Sequence, residues 1–196
     1  MSESNIWEKL TAVSSCALAV IALTALIFTY LQITESRHES QIQHLAEVVH
    51  DFDSGSVRNS LSALATKRID QKKQALSPLD PTNPPGEIYE VANFFEYVGL
   101  LTKRGYLDQN DVWDSFGYYL CAFYADSRPL IEVEQKGDPE NYADMSWLEE
   151  TLRQIDEKSH SGRGSHCTQK DIYDFYDGEI ETPSGVLPPH HNKASR

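Results

Sequence analysis

GEIYEVANFFEYVGLLTKRG, residues 86–105, is the stretch on which the fold turns. Ile88, Val91, Phe95, Val98 and Thr102 recur every three or four positions and share a narrow stripe at ~100° per residue, with Phe94 and Leu101 on its flank. Gly99 lies in the same stripe. A glycine inside a helix costs roughly 1 kcal/mol relative to alanine, so its place on the core face predicts the close approach of another helix. Lys103 and Arg104 complement the C-terminal dipole, and Gly105 stands where a helix ends. The spacing predicts a helix over 86–104.

The neighbouring segments read the same way. Ile42, Leu45, Val48, Val49 and Phe52 give an amphipathic helix over 34–52. Asp53-Ser54-Gly55-Ser56 reads as a stop and an N-cap, followed by a helix with Val57, Leu61, Leu64, Ala65 and Ile69 inward. Four prolines between 77 and 86 make a loop. Asp108 and Asp111 open a further helix, as an N-cap with an acid three residues on. Capping accounts for Asp108, Asp111 and Asp114 better than a metal does. Trp113, Phe116, Gly117, Leu120, Tyr124 and Ile131 mark its face to about Lys136, with a kink or break expected near Arg128 because of Pro129. Met145, Leu148, Leu152 and Ile155 predict a last helix over 142–158.

Residues 10–33 read LTAVSSCALAVIALTALIFTYLQI, without a charge, histidine, proline or glycine. A bilayer core of ~30 Å needs about 20 apolar residues, so this run predicts a single transmembrane helix, with Trp7 and Tyr30 suited to the interfaces. A cleaved signal peptide fits less well, since the preceding residues are acidic and the run is long. Lys9 precedes the run, whereas Arg37, Arg58, Lys67 and Arg68 follow it, which places the C-terminal domain in the cytoplasm. Cys16, Cys121 and Cys167 show no paired framework, and this points the same way. Ala12, Ser15, Ala19 and Ala22 give a small-residue stripe through which the span could self-associate.

The formal net charge is −13, and residues 1–34 hold one lysine and two glutamates, so nearly all of that excess lies beyond them. Such a body repels phosphate and argues against nucleic acid as a partner. The one basic cluster, Lys67, Arg68, Lys72 and Lys73, reads as the solvated end of a helix. Beyond 158 the periodicity is lost, and residues 159–196 read as a flexible acidic and aromatic tail. His160, His166 and Cys167 with His190 and His191 lack the spacing of a zinc module, and His38, His44 and His50 do not share a helix face, so no metal is assigned. No cofactor motif, nucleophile elbow or phosphate loop occurs, and no residue is assigned a catalytic role.

Two charges stand out at the edge of an apolar stripe, Glu96 between Phe95 and Tyr97 and Arg128 before Pro129. A partly buried charge needs a partner, so the two are expected to pair and clamp their helices. Phe95, Gly99, Phe116 and Gly117 are the expected packing residues. The order Phe94-Phe95-Glu96-x-Val98-Gly99-x-Leu101-x-x-x-Gly105-x-Leu107-Asp108, then Val112, Phe116-Gly117 and Arg128-Pro129-x-Ile131, resembles the uncharacterised prokaryotic family called domain of unknown function 4760, over about residues 35–157. The resemblance implies a small helical domain, often following a membrane span, with no established activity. Phe123-Tyr124 departs from it, since a tryptophan is expected there.

The sequence therefore predicts an all-α chain: a short flank (1–9), a transmembrane helix (10–33), a helical domain (34–158) and the tail (159–196). The expected function is a membrane-tethered interaction or regulatory module with a protein partner. The alternative is a membrane-bound, hydrolase-like enzyme with a cleft around Glu96 and Arg128.

Overall fold

Six helices and one short strand pair carry the described chain. They run α1 (Glu3–Ser54), α2 (Ser56–Arg68), β1 (Ile69–Asp70), β2 (Ala75–Leu76), α3 (Gly86–Lys103), α4 (Gln109–Gly137), α5 (Ala143–Ser159) and α6 (Gln169–Glu181). This computed structural model describes the backbone of residues 3–70, 75–159 and 167–181, and the side chains of these except 3–17, 19, 54, 159 and 181. The chain divides into two compact units, Met1–Ile42 and Gln43–Arg196.

The first unit is the N-terminal part of α1. Among the described residues no helix is long and apolar enough to cross a membrane, so the expected single-pass anchor over 10–33 is overturned. The side chains of 10–17, and of Ala19, lie outside the described residues. Within the described part, Thr24, Thr29 and Gln32 stand among the apolar residues. The threonine hydroxyls donate to backbone carbonyls one turn back, Thr24 to Val20 at 2.8 Å and Thr29 to Ala25 at 2.9 Å. The membrane location, the cytoplasmic placement of the C-terminal domain and self-association through a span all rested on that anchor.

In the second unit, Val48 and Phe52 at the end of α1 join a core built from α2 to α6. Phe52, Phe94, Phe95, Phe116 and Phe123 form its aromatic centre, with ring centroids 5.3 Å apart for Phe52 and Phe94 and 5.8 Å for Phe95 and Phe123. Gly55 separates α1 from α2. It caps α2 without a side-chain bond, and a Cβ there would stand 2.6 Å from the Asp51 carbonyl oxygen. Ile69 leaves the helix for the strand pair, in register with Leu76.

α3 ends as its sequence predicts. Gly105 has φ +77°, its N–H donates to the Thr102 carbonyl, and the Tyr106 N–H donates to the Leu101 carbonyl, the paired bonds that close a Schellman turn. Asp108 caps α4, its Oδ1 accepting from the N–H groups of Asn110 at 2.8 Å and Asp111 at 3.3 Å. Pro129 does not break α4, which continues to Gly137. Pro129 is solvent-exposed and lacks the N–H that would donate to the Ala125 carbonyl, while Leu130 and Ile131 beyond it remain buried.

The flexible tail is also corrected, since 169–181 is helix α6. Thr168 and Asp171 cap it reciprocally: the Asp171 carboxylate accepts the Thr168 N–H at 2.8 Å, and the Thr168 hydroxyl accepts the Asp171 N–H at 3.3 Å. Ile172, Phe175 and Tyr176 are buried. Their i, i+3, i+4 spacing gives α6 an apolar face that aspartates at 171, 174 and 177 mask in the sequence. The expectation of unpaired cysteines falls as well, because Cys121 of α4 is bonded to Cys167. Residues 160–166 and 182–196 of that tail lie outside the described residues.

Candidate functional site

Arg58, Leu61, Ala65 and Arg68 follow one another on α2 at intervals of three, four and three, which turns both arginines inward. Arg58 is 4% exposed and Arg68 5%. Arg68 was expected at a solvated helix end, and is instead drawn into the body by a carboxylate. Its Nε donates to Asp126 Oδ2 at 2.9 Å and its Nη2 to Asp126 Oδ1 at 2.5 Å, a two-pronged contact of planar groups. Nη1 donates to the Ser77 carbonyl, tying the loop after β2 to the same centre. From α6 the Tyr176 hydroxyl donates to Asp126 Oδ2 at 2.8 Å. Burial holds that phenol well above its ordinary pKa, and the neighbouring Asp126 charge pushes it the same way.

Arg58 sits in a second polar centre. Its Nη1 donates to the Tyr119 hydroxyl at 3.2 Å, its Nε lies 3.4 Å from Glu179 of α6, and Asp53 is 3.9 Å away. The guanidinium also faces the rings of Phe52 and Tyr119, each at 5.7 Å. Burial raises the pKa of Glu179; Arg58 opposes this, and Asp53 adds to it. Tyr118, in the adjacent position on α4, is pushed up to about 12, first by burial and then by Asp174.

Glu96 and Arg128 are not brought to one another. Glu96 faces the start of α5, where its Oε2 accepts the Met145 N–H at 2.7 Å and its Oε1 the Asp144 N–H at 3.3 Å. Arg128 bonds Glu132 one turn along α4 at 2.9 Å, and both side chains are more than half exposed. Phe95 and Phe116 lie in the core. At Gly99 a Cβ would stand 2.3 Å from the Asp144 carbonyl oxygen, and at Gly117 it would meet the indole of Trp113 at 3.2 Å. At the departing pair Phe123 is fully buried, while the Tyr124 hydroxyl lies 3.2 Å from Ser146 Oγ.

A surface groove of about 640 Å³ runs past Leu76, Lys170, Tyr173, Asp174 and Asp177, and neither Glu96 nor Arg128 lines it. Lys170 is bonded to Asp174 there. Among the described residues no group of three or more histidines, cysteines or acids could hold a metal ion. His160, His166, His190 and His191 lie outside the described residues, and His44 stacks edge-on against Tyr106 at 6.0 Å.

Arg58, Arg68, Asp126, Tyr176 and Glu179 are the residues that sequence reasoning missed. Their signal was positional: Asp126 falls between Phe123 and Leu130 on the apolar face of α4, and the two arginines interleave with Leu61 and Ala65.

The model of one protein family, Domain of unknown function (DUF4760), matches residues 19–152. The chain belongs to that family. No curated protein and no solved structure matches it.

Proposed function

We propose that this DUF4760 chain is a non-enzymatic interaction module whose helical body binds a protein partner. One observation carries the reading: the charges withdrawn from water are engaged by the fold itself. Arg68 is held by Asp126, Arg58 faces Glu179 and bonds Tyr119 although its buried Nη2 has no hydrogen-bond partner among the described residues, and Glu96 accepts two backbone amides of α5. A catalytic acid or base needs a free edge toward a substrate, and these groups have structural partners instead. The hydrolase-like alternative finds less support, because Glu96 points at α5 and Arg128 at the surface. Tyr97, Tyr106 and Tyr118, each about half exposed, are the kind of side chain that concentrates at protein interfaces. The acidic excess favours a partner with basic groups over one that presents phosphates.

Chemical cross-linking of the tagged chain in cells, followed by purification and reconstitution with the recovered protein, tests the reading. A stoichiometric complex weakened at least ten-fold by Tyr97→Ser, Tyr106→Ser or Tyr118→Ser is the expected result. Turnover of an ester, peptide or phosphoester substrate that Glu96→Gln abolishes at unchanged fold would overturn it.

A further inference from the structure

The bond between Cys121 and Cys167 joins α4 to the residue just before Thr168, where α6 begins; the two Cα atoms are 5.9 Å apart across 46 positions of sequence. α6 has 13 residues, and a helix that short is marginal in water unless its neighbours hold it. What holds it is the burial of Ile172, Phe175 and Tyr176, the Tyr176–Asp126 hydrogen bond and the Glu179–Arg58 contact. Phe175 meets Tyr118 at 5.9 Å and Tyr119 at 6.0 Å, and these rings lie three and two residues before Cys121 on α4. The covalent tie thus sits at one end of the helix and the two polar contacts toward the other. The polar centres left behind are not equal. Without α6, Arg68 keeps Asp126, whereas Arg58 loses Glu179 and Phe175 and Tyr176 enter water.

We infer that Cys121–Cys167 is a redox latch that holds α6 closed, and that a dithiol reductant releases it. A reductant thiolate attacks one Sγ and forms a mixed disulfide; its second thiolate then resolves that bond. Two electrons and two protons end on the Cys121 and Cys167 thiols, and the reductant leaves as its own disulfide. The cross-link restricts the open states of the chain, so its loss shifts α6 toward opening while α3, α4 and α5 stay packed. This inference is independent of the interaction reading.

The test is amide hydrogen exchange on the full chain, before and after dithiothreitol, with alkylation and mass measurement of the unreduced protein. The expected result is one protected cysteine pair, exchange over 172–179 at least ten-fold faster after reduction, and unchanged protection at Val98 and Met145. Oxidised dithiothreitol should restore the slow exchange. Cys121→Ser and, should that variant misfold, Cys167→Ser should show the fast exchange without reductant. Free thiols at both positions, unchanged exchange over 172–179, or loss of protection at Val98 and Met145 together with α6 would each overturn the latch.

Discussion

Glu96 and Gly99, three residues apart on α3, together receive the start of α5: one carboxylate accepts two of its amides, and the absent Cβ leaves room for the Asp144 carbonyl. The Phe-Glu-x-Val-Gly run thus places a polar acceptor and a gap on one helix face. Gly99→Ala should destabilise the body by about 1–3 kcal/mol, even though alanine is the better helix former by roughly 1 kcal/mol. Urea unfolding measures it, and a stabilised variant would show that the backbones are not in contact there.

Gly105→Ala has a different origin. A Cβ there meets nothing within 4 Å, but the residue has φ +77°. The expected loss is about 1 kcal/mol, conformational in nature, and Gly105→Asn should recover part of it because asparagine tolerates that region better.

The Arg68–Asp126 pair is buried on both sides, with side chains 6% and 5% exposed. Removing either member strands the other, so Arg68→Met and Asp126→Asn should each cost about 3–5 kcal/mol, and the double variant less than the two losses combined. A double-mutant cycle by denaturant unfolding reads the coupling, and additive losses would mean that the pair does not act as a unit.

Pro129 lies inside an unbroken α4 and denies the Ala125 carbonyl its helical donor. Pro129→Ala restores the N–H and removes the ring, against a smaller entropic loss of up to about 1 kcal/mol from the more flexible unfolded chain. A net gain of roughly 1–2 kcal/mol is expected. A lower melting temperature for the variant would contradict this.

Glu179 has a pKa raised above its ordinary 4.5 by burial, so between that value and the raised one the folded chain binds more protons than the unfolded chain. Stability contributed by this group is therefore fully present below 4.5 and declines as pH rises through the window. Glu87, Glu90 and Glu150 are lowered by hydrogen bonds and act in the opposite sense, their contribution fading as the solution is acidified. The informative quantity is the difference between the wild type and Glu179→Gln, which should shrink with rising pH across the Glu179 window. A flat difference would show that the carboxyl titrates normally in the fold.

The helices of the family-matched region were legible because their apolar positions repeat without interruption, and the caps at Asp108 and Gly105 use residue types with few other uses. α6 was not legible, because aspartates at every third position dilute its apolar face, and its cap, Thr168-x-x-Asp171, was passed over. The polar centres were hidden for a related reason. Arginine on a helix is ordinarily solvated, and nothing local to Arg58 or Arg68 shows that Glu179 or Asp126 comes from far along the chain. Glu96 was recognised as a charge in need of a partner, but the partner was backbone, which residue types do not reveal. In 10–33 the lack of charge was plain, yet among the described residues no helix is long and apolar enough to cross a membrane.

Because both buried arginines belong to α2, the ten-residue interval from 58 to 68 is fixed by partners on two other helices. One residue inserted between them would turn Arg68 by ~100° and advance it ~1.5 Å, out of reach of Asp126 while Arg58 stays in place. Relatives that keep both arginines should therefore tolerate length changes in the proline loop, but not within this interval. Homologous chains that differ in length there should be found to lack one arginine or the acid that answers it.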